Sequence, residues 1–280
     1  MSAVCTAIAL WCLTASGAAA QEPALRVEVS LAPFAFHGPI LTRPQSSVLI
    51  TVQVTHPPAT ESLDEKVGVI INVFTARGKH VTDVHHKLDV KASTSGQPLV
   101  YQIVSRVDLE PGRYRFRVGA GTSDGKTGAT TAEIEVPRFP KEGLATSGVV
   151  LTVSPPIFAA QVSGAKELLA VAPTAEREFT AAQQVSAVVR AYRFGLRPPG
   201  SVRVSATVVD ARNATVFAVQ QEIDDAAFRT FFAGRWADHT IALPIATLPP
   251  GDYLLRVSVS AGRSHSASPP IPFSVVSTRR

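Results

Sequence analysis

Three stretches of this 280-residue chain carry residue types whose spacing could do chemistry. Ala120-Gly-Thr-Ser-Asp-Gly125-Lys126-Thr127 fits a loose phosphate-loop pattern. Such a loop works because backbone N–H groups wrap a phosphate and a following helix aims its positive end at it. Here the next residues, Gly128 to Pro137, are rich in β-branched types and end in proline, so a strand follows and the glycines read as a hairpin tip. His80, His85 and His86 suggest a metal only until the period of a strand is applied. On a regular strand His80 and His86 share a face about 20 Å apart, and His85 points the other way with Asp83 and Asp89. A solvated edge strand is the better reading, with no metal. Arg113, Arg115 and Arg117 form a basic row that could hold an anion. Glu133 and Glu135 on the next strand offer a structural alternative, a cross-strand charge ladder. A hairpin closed by residues 119–130 would set Arg117 across from Glu133 and Arg115 across from Glu135.

The sequence contains no carboxylate pair beside a histidine and no zinc-helix spacing. Asp224-Asp225 sits at a strand end and reads as a turn or cap. Asn213-Ala-Thr215 reads as a bare turn. No catalytic residue, metal ligand or cofactor is expected, and the chain is read as no enzyme. Both cysteines, Cys5 and Cys12, lie near the start, so the rest of the chain has no disulfide, no thiolate nucleophile and no cysteine metal site.

The elements that would position any site are strands. Val48, Ile50, Val52 and Val54 alternate with polar or β-branched residues, as do Val67, Val69, Ile71 and Val73. Leu99, Tyr101 and Ile103 follow, then Tyr114, Phe116 and Val118, then Ile134 and Val136. Turn-forming gaps separate these runs at the spacing of an all-β sandwich. Two phrases are then written a second time. Leu109-Glu-Pro111-Gly112-Arg-Tyr114 returns as Leu248-Pro-Pro250-Gly251-Asp-Tyr253, and Val73-Phe-Thr-Ala76-Arg77-Gly78 returns as Val208-Val-Asp-Ala211-Arg212-Asn213. Gly78 and Asn213 are the residue types that best tolerate a positive φ, which marks a hairpin turn. Tyr114 and Tyr253 sit where a tyrosine corner opens a late strand, the phenol bonding back to upstream backbone. The expected architecture is two tandem immunoglobulin/fibronectin type III-like β-sandwich modules.

Residues 1–20 contain no charged side chain, run apolar and then small, and end in Ala18-Ala19-Ala20, which reads as a signal peptide. Module one is expected over 24–137, a proline-containing linker over 138–146 and module two over 147–277, the linker acting as a short joint with a modest interface. Residues 21–145 carry 14 basic and 13 acidic side chains (14 − 13 = +1), and 146–280 carry 13 and 9 (13 − 9 = +4). The excess is scattered arginine rather than a stripe, so nucleic acid is not the expected partner. No transmembrane segment is expected, because no apolar run approaches ~18 residues.

Five further phrases stand out: Pro111-Gly112-Arg113-Tyr114, Glu135-Val136-Pro137, Ser147-Gly148-Val149-Val150, Pro173-Thr174-Ala175-Glu176-Arg177-Glu178-Phe179 and Leu248-Pro249-Pro250-Gly251-Asp252-Tyr253. On these motifs residues 24–260 resemble the C-terminal modules of bacterial exported proteins related to von Willebrand factor A. The chain departs from that pattern in having no A-domain and no Asp-x-Ser-x-Ser motif, so metal-dependent adhesion does not carry over. The resemblance implies a module type and an exported location. Fibronectin type III domains share the Leu-x-Pro-Gly-x-x-Tyr idea at another spacing.

The function expected is therefore an exported (periplasmic or extracellular), non-catalytic protein for protein–protein interaction or envelope scaffolding, acting as a monomer. The alternative is a carbohydrate-binding accessory protein, disfavoured because Trp236 is the only tryptophan after the leader. Phe228, Phe231, Phe232, Arg235 and Trp236 concentrate aromatics and arginine where module one is polar, the composition of an interface anchor. They are the candidate interaction surface, docking either a protein or the inter-module cleft. A plug for one end of the sandwich is the competing reading.

Overall fold

The computed structural model describes residues 25–36, 45–58, 63–92, 98–161, 165–195, 201–231 and 234–277. The expected signal peptide and Phe232 lie outside them, as does the side chain of Phe231. Module one is built from β1 (Arg26–Phe36), β2 (Gln45–His56), β3 (Leu63–Thr75), β4 (His80–Ala92), β5 (Leu99–Leu109), β6 (Gly112–Thr122) and β7 (Thr127–Val136). The chain continues through β8 (Gly143–Thr146), β9 (Val150–Ser154), β10 (Ala159–Gln161), a helical turn at Ala165–Leu168 and β11 (Glu178–Thr180). Module two then runs β12 (Gln184–Phe194), β13 (Val202–Asp210), β14 (Thr215–Ile223), β15 (Arg229–Phe231), β16 (Gly234–Leu243), β17 (Gly251–Ala261), β18 (Ser264–Ala267) and β19 (Ile271–Val276).

Four sheets result. In module one β1-β2-β5 faces β4-β3-β6-β7. In module two β8 and β9 pair β12, which pairs β16, and this sheet faces β19-β17-β13-β14. Both modules thus place their first, second and fifth strands against the fourth, third, sixth and seventh, the wiring of an immunoglobulin/fibronectin type III-like sandwich. Each core is the set of inward alternating positions. Val48, Ile50, Val52 and Val54 meet Val67, Val69, Ile71, Val73 and Phe116 in module one. Val185, Ala187 and Val189 meet Val204, Val208, Leu255, Val257 and Phe179 in module two. A fully buried side chain of this kind stabilises by about 1.5–3 kcal/mol.

The repeated phrases make the same local structure twice. Gly78 has φ 80° and Asn213 has φ 62°. Gly78 N donates to Thr75 O and Asn213 N to Asp210 O, each at 2.9 Å. The pairing register shifts beside each turn, at Val73/Phe74 and at Val208/Val209. The phosphate-loop pattern closes the β6–β7 hairpin with Gly125 at φ 91° and runs straight into β7.

Two register expectations change. The β6–β7 hairpin turns within 122–126 rather than 119–130, so Arg113 faces Glu135 and Arg115 faces Glu133, with N–O distances of 3.4 and 2.8 Å, while Arg117 lies opposite Thr131. The β3–β4 bulge skips Val81 in the pairing and turns His80 toward Asp83. Asp83 therefore meets both His80 (3.4 Å) and His85 (2.8 Å), and His86 points inward to Ser105 Oγ at 2.9 Å. The stretch expected as a linker also carries structure. Phe139 is buried, and Gly143–Thr146 is strand β8.

Candidate functional site: the seam between the modules

β2 and β12 are buried on both faces, which the hydrophobic effect produces only where a second layer covers the outer side of the sheet. The covering layer is the other module. Ala32, Phe34, Leu49 and Val104 of module one form one cluster with Val150, Leu168, Leu169 and Val188. A second cluster joins Ala35 to Phe139, Ala145, Tyr192 and Phe194, with Trp236 packed against it. In place of a modest joint, the β1-β2-β5 sheet lies against the β8/β9-β12-β16 sheet through two apolar clusters.

Polar groups in the seam are bonded across it. Ala35 N donates to the Tyr192 hydroxyl at 3.0 Å, and burial pushes that phenol's pKa up. Gly148 N donates to Pro33 O at 2.7 Å. A Cβ at Gly148 would stand 2.4 Å from Pro33 Cδ, so glycine is needed here for close approach. Gln102 Nε2 donates to Gln53 Oε1 at 2.8 Å and lies 3.0 Å from Thr174 Oγ1 of the following segment. Arg177 donates to Ser30 Oγ at 2.5 Å, and burial lowers its guanidinium pKa to about 10. β10 then crosses back to pair in parallel with β5, extending the module-one sheet with residues that follow β9 in sequence.

Arginines and aromatics line the end of the seam. Arg190 is buried, stacks 3.7 Å from the Trp236 ring and holds Asp238 with two bonds of 2.6 and 2.8 Å. Arg229 sits on the same indole at 5.4 Å. One strand-face over, Arg193 lies 4.1 Å from the Phe228 ring and bonds Asp225. Arg235 also bonds Asp225, at 3.0 Å, and donates to Phe228 O at 3.0 Å. The hydrogen bonds from Arg235 and then Arg193 hold the Asp225 carboxyl below its ordinary range.

The structure thus places the singled-out residues as follows. Phe228 is buried in the module-two core, Trp236 is half-buried against the inter-module cluster, and Arg235 is tied to Asp225. Tyr114 donates to Glu110 O at 2.9 Å and Tyr253 to Pro249 O at 2.7 Å, Tyr253 buried and Tyr114 half-buried. Asp224 accepts from Ala226 N and caps a short 3-10 turn. Sequence reasoning missed Phe34, Gly148, Arg190 and Tyr192. The signal present lay in β12, whose outward positions Val188, Tyr192 and Phe194 are apolar, whereas the outward positions of β2, Ser47, Leu49, Thr51 and Gln53, are mostly polar and announce no covering layer.

Among the surface cavities, two lie at the seam and at the flank of module one. One of about 410 Å³ opens at the seam between Pro33, Phe139, Gly148 and Ser268. The other, about 620 Å³, lies at the flank of module one between Leu88, Val90, Leu99, Tyr101 and the exposed Phe158. Among the described residues no group of three or more His, Cys, Asp and Glu is placed to hold a metal, and no helix is long and apolar enough to cross a membrane.

No protein-family model matches the chain, and no curated protein matches it. Among solved structures it is similar to dimeric latent PorU from Porphyromonas gingivalis, at 12% identity and TM-score 0.29 over 88% of this chain and 20% of that one. It is also similar to a two-domain fibronectin type III segment of chicken tenascin, at 11% identity and TM-score 0.20 over 88% and 98% of the two chains. The FN1–FN3 domains of chicken CNTN1 match at 12% identity and TM-score 0.23, over 80% and 62%. The chain spans a fifth of the PorU chain's length.

Proposed function

We propose that this chain is an exported, non-catalytic protein whose two sandwiches are locked into one rigid body for protein–protein interaction or envelope scaffolding. The observation that carries the reading is the seam. A hinge would leave the outer faces of β2 and β12 wet, but Leu49, Val104 and Val188 are 1–3% exposed and the polar groups beside them bond across the junction. Fixing two modules at one angle is what a spacer or bracket needs, and hydrolytic chemistry would gain nothing from it. On this reading the Phe228–Trp236 stretch serves the molecule's own rigidity: Phe228 closes the module-two core and Trp236 braces the inter-module cluster. Export rests on residues 1–20, which read as a signal peptide, and on the resemblance of residues 24–260 to von Willebrand factor A-related exported proteins. Affinity capture from a native envelope fraction, run beside a glycan array, tests the proposal. A specific protein partner without glycan binding supports it. A glycan ligand would replace it with the carbohydrate-binding reading.

A further inference from the structure

We infer that β4 is the docking edge for a second copy of this chain, forming one continuous sheet across a two-fold axis. Among the described residues β4 ends its sheet, pairing only with β3. It is 13 residues long, and no proline interrupts it. β1 and β7 also end their sheets, but Leu25 N, leading into β1, donates to Thr127 O of β7 at 3.2 Å and ties these two edges together at one end, and β10 occupies the side of β5. An open strand presents a row of unpaired N–H and C=O groups, the template for adding another strand.

Charges usually blunt such an edge, but here their order favours one register. The outward residues of β4, Asp83, His85, Lys87, Asp89 and Lys91, are all exposed, while the inner positions Val84, His86, Leu88 and Val90 are half-buried. An antiparallel pairing about Leu88 sets Lys87 against Asp89 of the second copy and Asp89 against its Lys87. The same register faces Lys91 with His85, and on the inner side Leu88 with Leu88 and Val90 with His86. Moving the axis to Lys87 opposes that lysine with itself, and moving it to His86 opposes Asp89 with Asp83. Only the Leu88 register satisfies both charges of the Lys87/Asp89 pair twice, and opposite charges directly across an antiparallel pair attract. β14, the equivalent edge of module two, carries Glu222 but no such alternation.

The flank of β4 supplies apolar area to the same joint. Leu88 and Val90 line the cavity of about 620 Å³, whose rim is Phe158, 75% exposed and the most exposed large hydrophobic side chain among the described residues. A two-fold axis through Leu88 perpendicular to the sheet brings the two cavities and both Phe158 rings to one side of the new strand pair. A self-complementary patch closes on itself as a dimer and does not propagate.

The chain from Gln21 onward should sediment as a dimer at high micromolar concentration. Lys87→Asp sets like charges across the axis twice and should weaken association at least about tenfold, with the circular dichroism spectrum unchanged because residue 87 is exposed. Adding Asp89→Lys reverses the pair on both copies and should restore the dimer. A chain monomeric at every concentration overturns the inference. So does a dimer indifferent to Lys87→Asp, which would use another surface, or a double variant that stays monomeric.

Discussion

At the residue scale, the tyrosines test how much a single hydroxyl contributes. Tyr253 is 7% exposed and its O–H makes a part-buried bond to Pro249 O at 2.7 Å, which Tyr253→Phe removes. The expected loss is about 1–2 kcal/mol in urea unfolding. Tyr114→Phe should cost less, because its corner is half open to water that can replace the phenol. Equal losses at the two sites would show that burial is not what sets the cost. Histidine gives the second residue-scale prediction. Burial lowers the pKa of His56, His86 and His239 from 6.5. Below pH 6.5 the unfolded chain takes up protons that these folded sites resist, so stability is complete above about 6.5 and falls as pH drops through that value. At His56 desolvation outweighs the pull of Glu65, 3.5 Å away. His56→Gln should flatten part of this decline in a pH series of thermal melts.

At the scale of elements, close approach matters more than turn geometry. Gly148 and Gly119 both lack a positive φ, yet they differ in surroundings. A Cβ at 148 would meet Pro33 Cδ at 2.4 Å and Ala32 Cα at 3.0 Å, whereas one at 119 meets nothing within 4 Å. Gly148→Ala should push β1 off the β8–β9 corner and cost roughly 1–3 kcal/mol. Gly119→Ala should stay within about 0.5 kcal/mol of the parent. Trp236 offers the readout, since it packs against the inter-module cluster between Arg190 and Arg229. Its emission should shift to the red in Gly148→Ala and not in Gly119→Ala. The hairpins show the limit of pattern reading at this scale. Matching Gly78 with Asn213 identified both turns, because positive φ selects residue type locally. The Arg–Glu ladder slipped by two residues because hairpin register depends on where the turn closes, and alternation is unchanged by a two-residue shift.

At the scale of the whole molecule, the seam predicts cooperative behaviour. A fragment of residues 21–140 exposes Phe34, Leu49 and Val104, now 1–2% accessible, and loses β10 from the side of β5. It should unfold at a lower midpoint than the full chain or aggregate, and the full chain should melt in one transition. Two separate transitions, with the fragment as stable as module one in the full chain, would restore the picture of beads on a short linker.

What the sequence determined by itself was the module. Period-two alternation, the paired Pro-Gly-x-Tyr phrases and the paired turn residues are local signals, and each is satisfied within one sandwich. The tertiary structure decided how the modules meet. Arg190 and Tyr192 look like outward strand residues until Phe34, Ala35 and Trp236 are placed beside them, and Gly148 looks like any loop glycine until Pro33 stands against it. Those partners lie more than a hundred residues apart in sequence in the case of Ala35 and Tyr192, 157 positions, and no periodicity within either strand encodes the other. Alternation says which face of a strand leaves its own core; only the assembled layers say whether water or another module waits there.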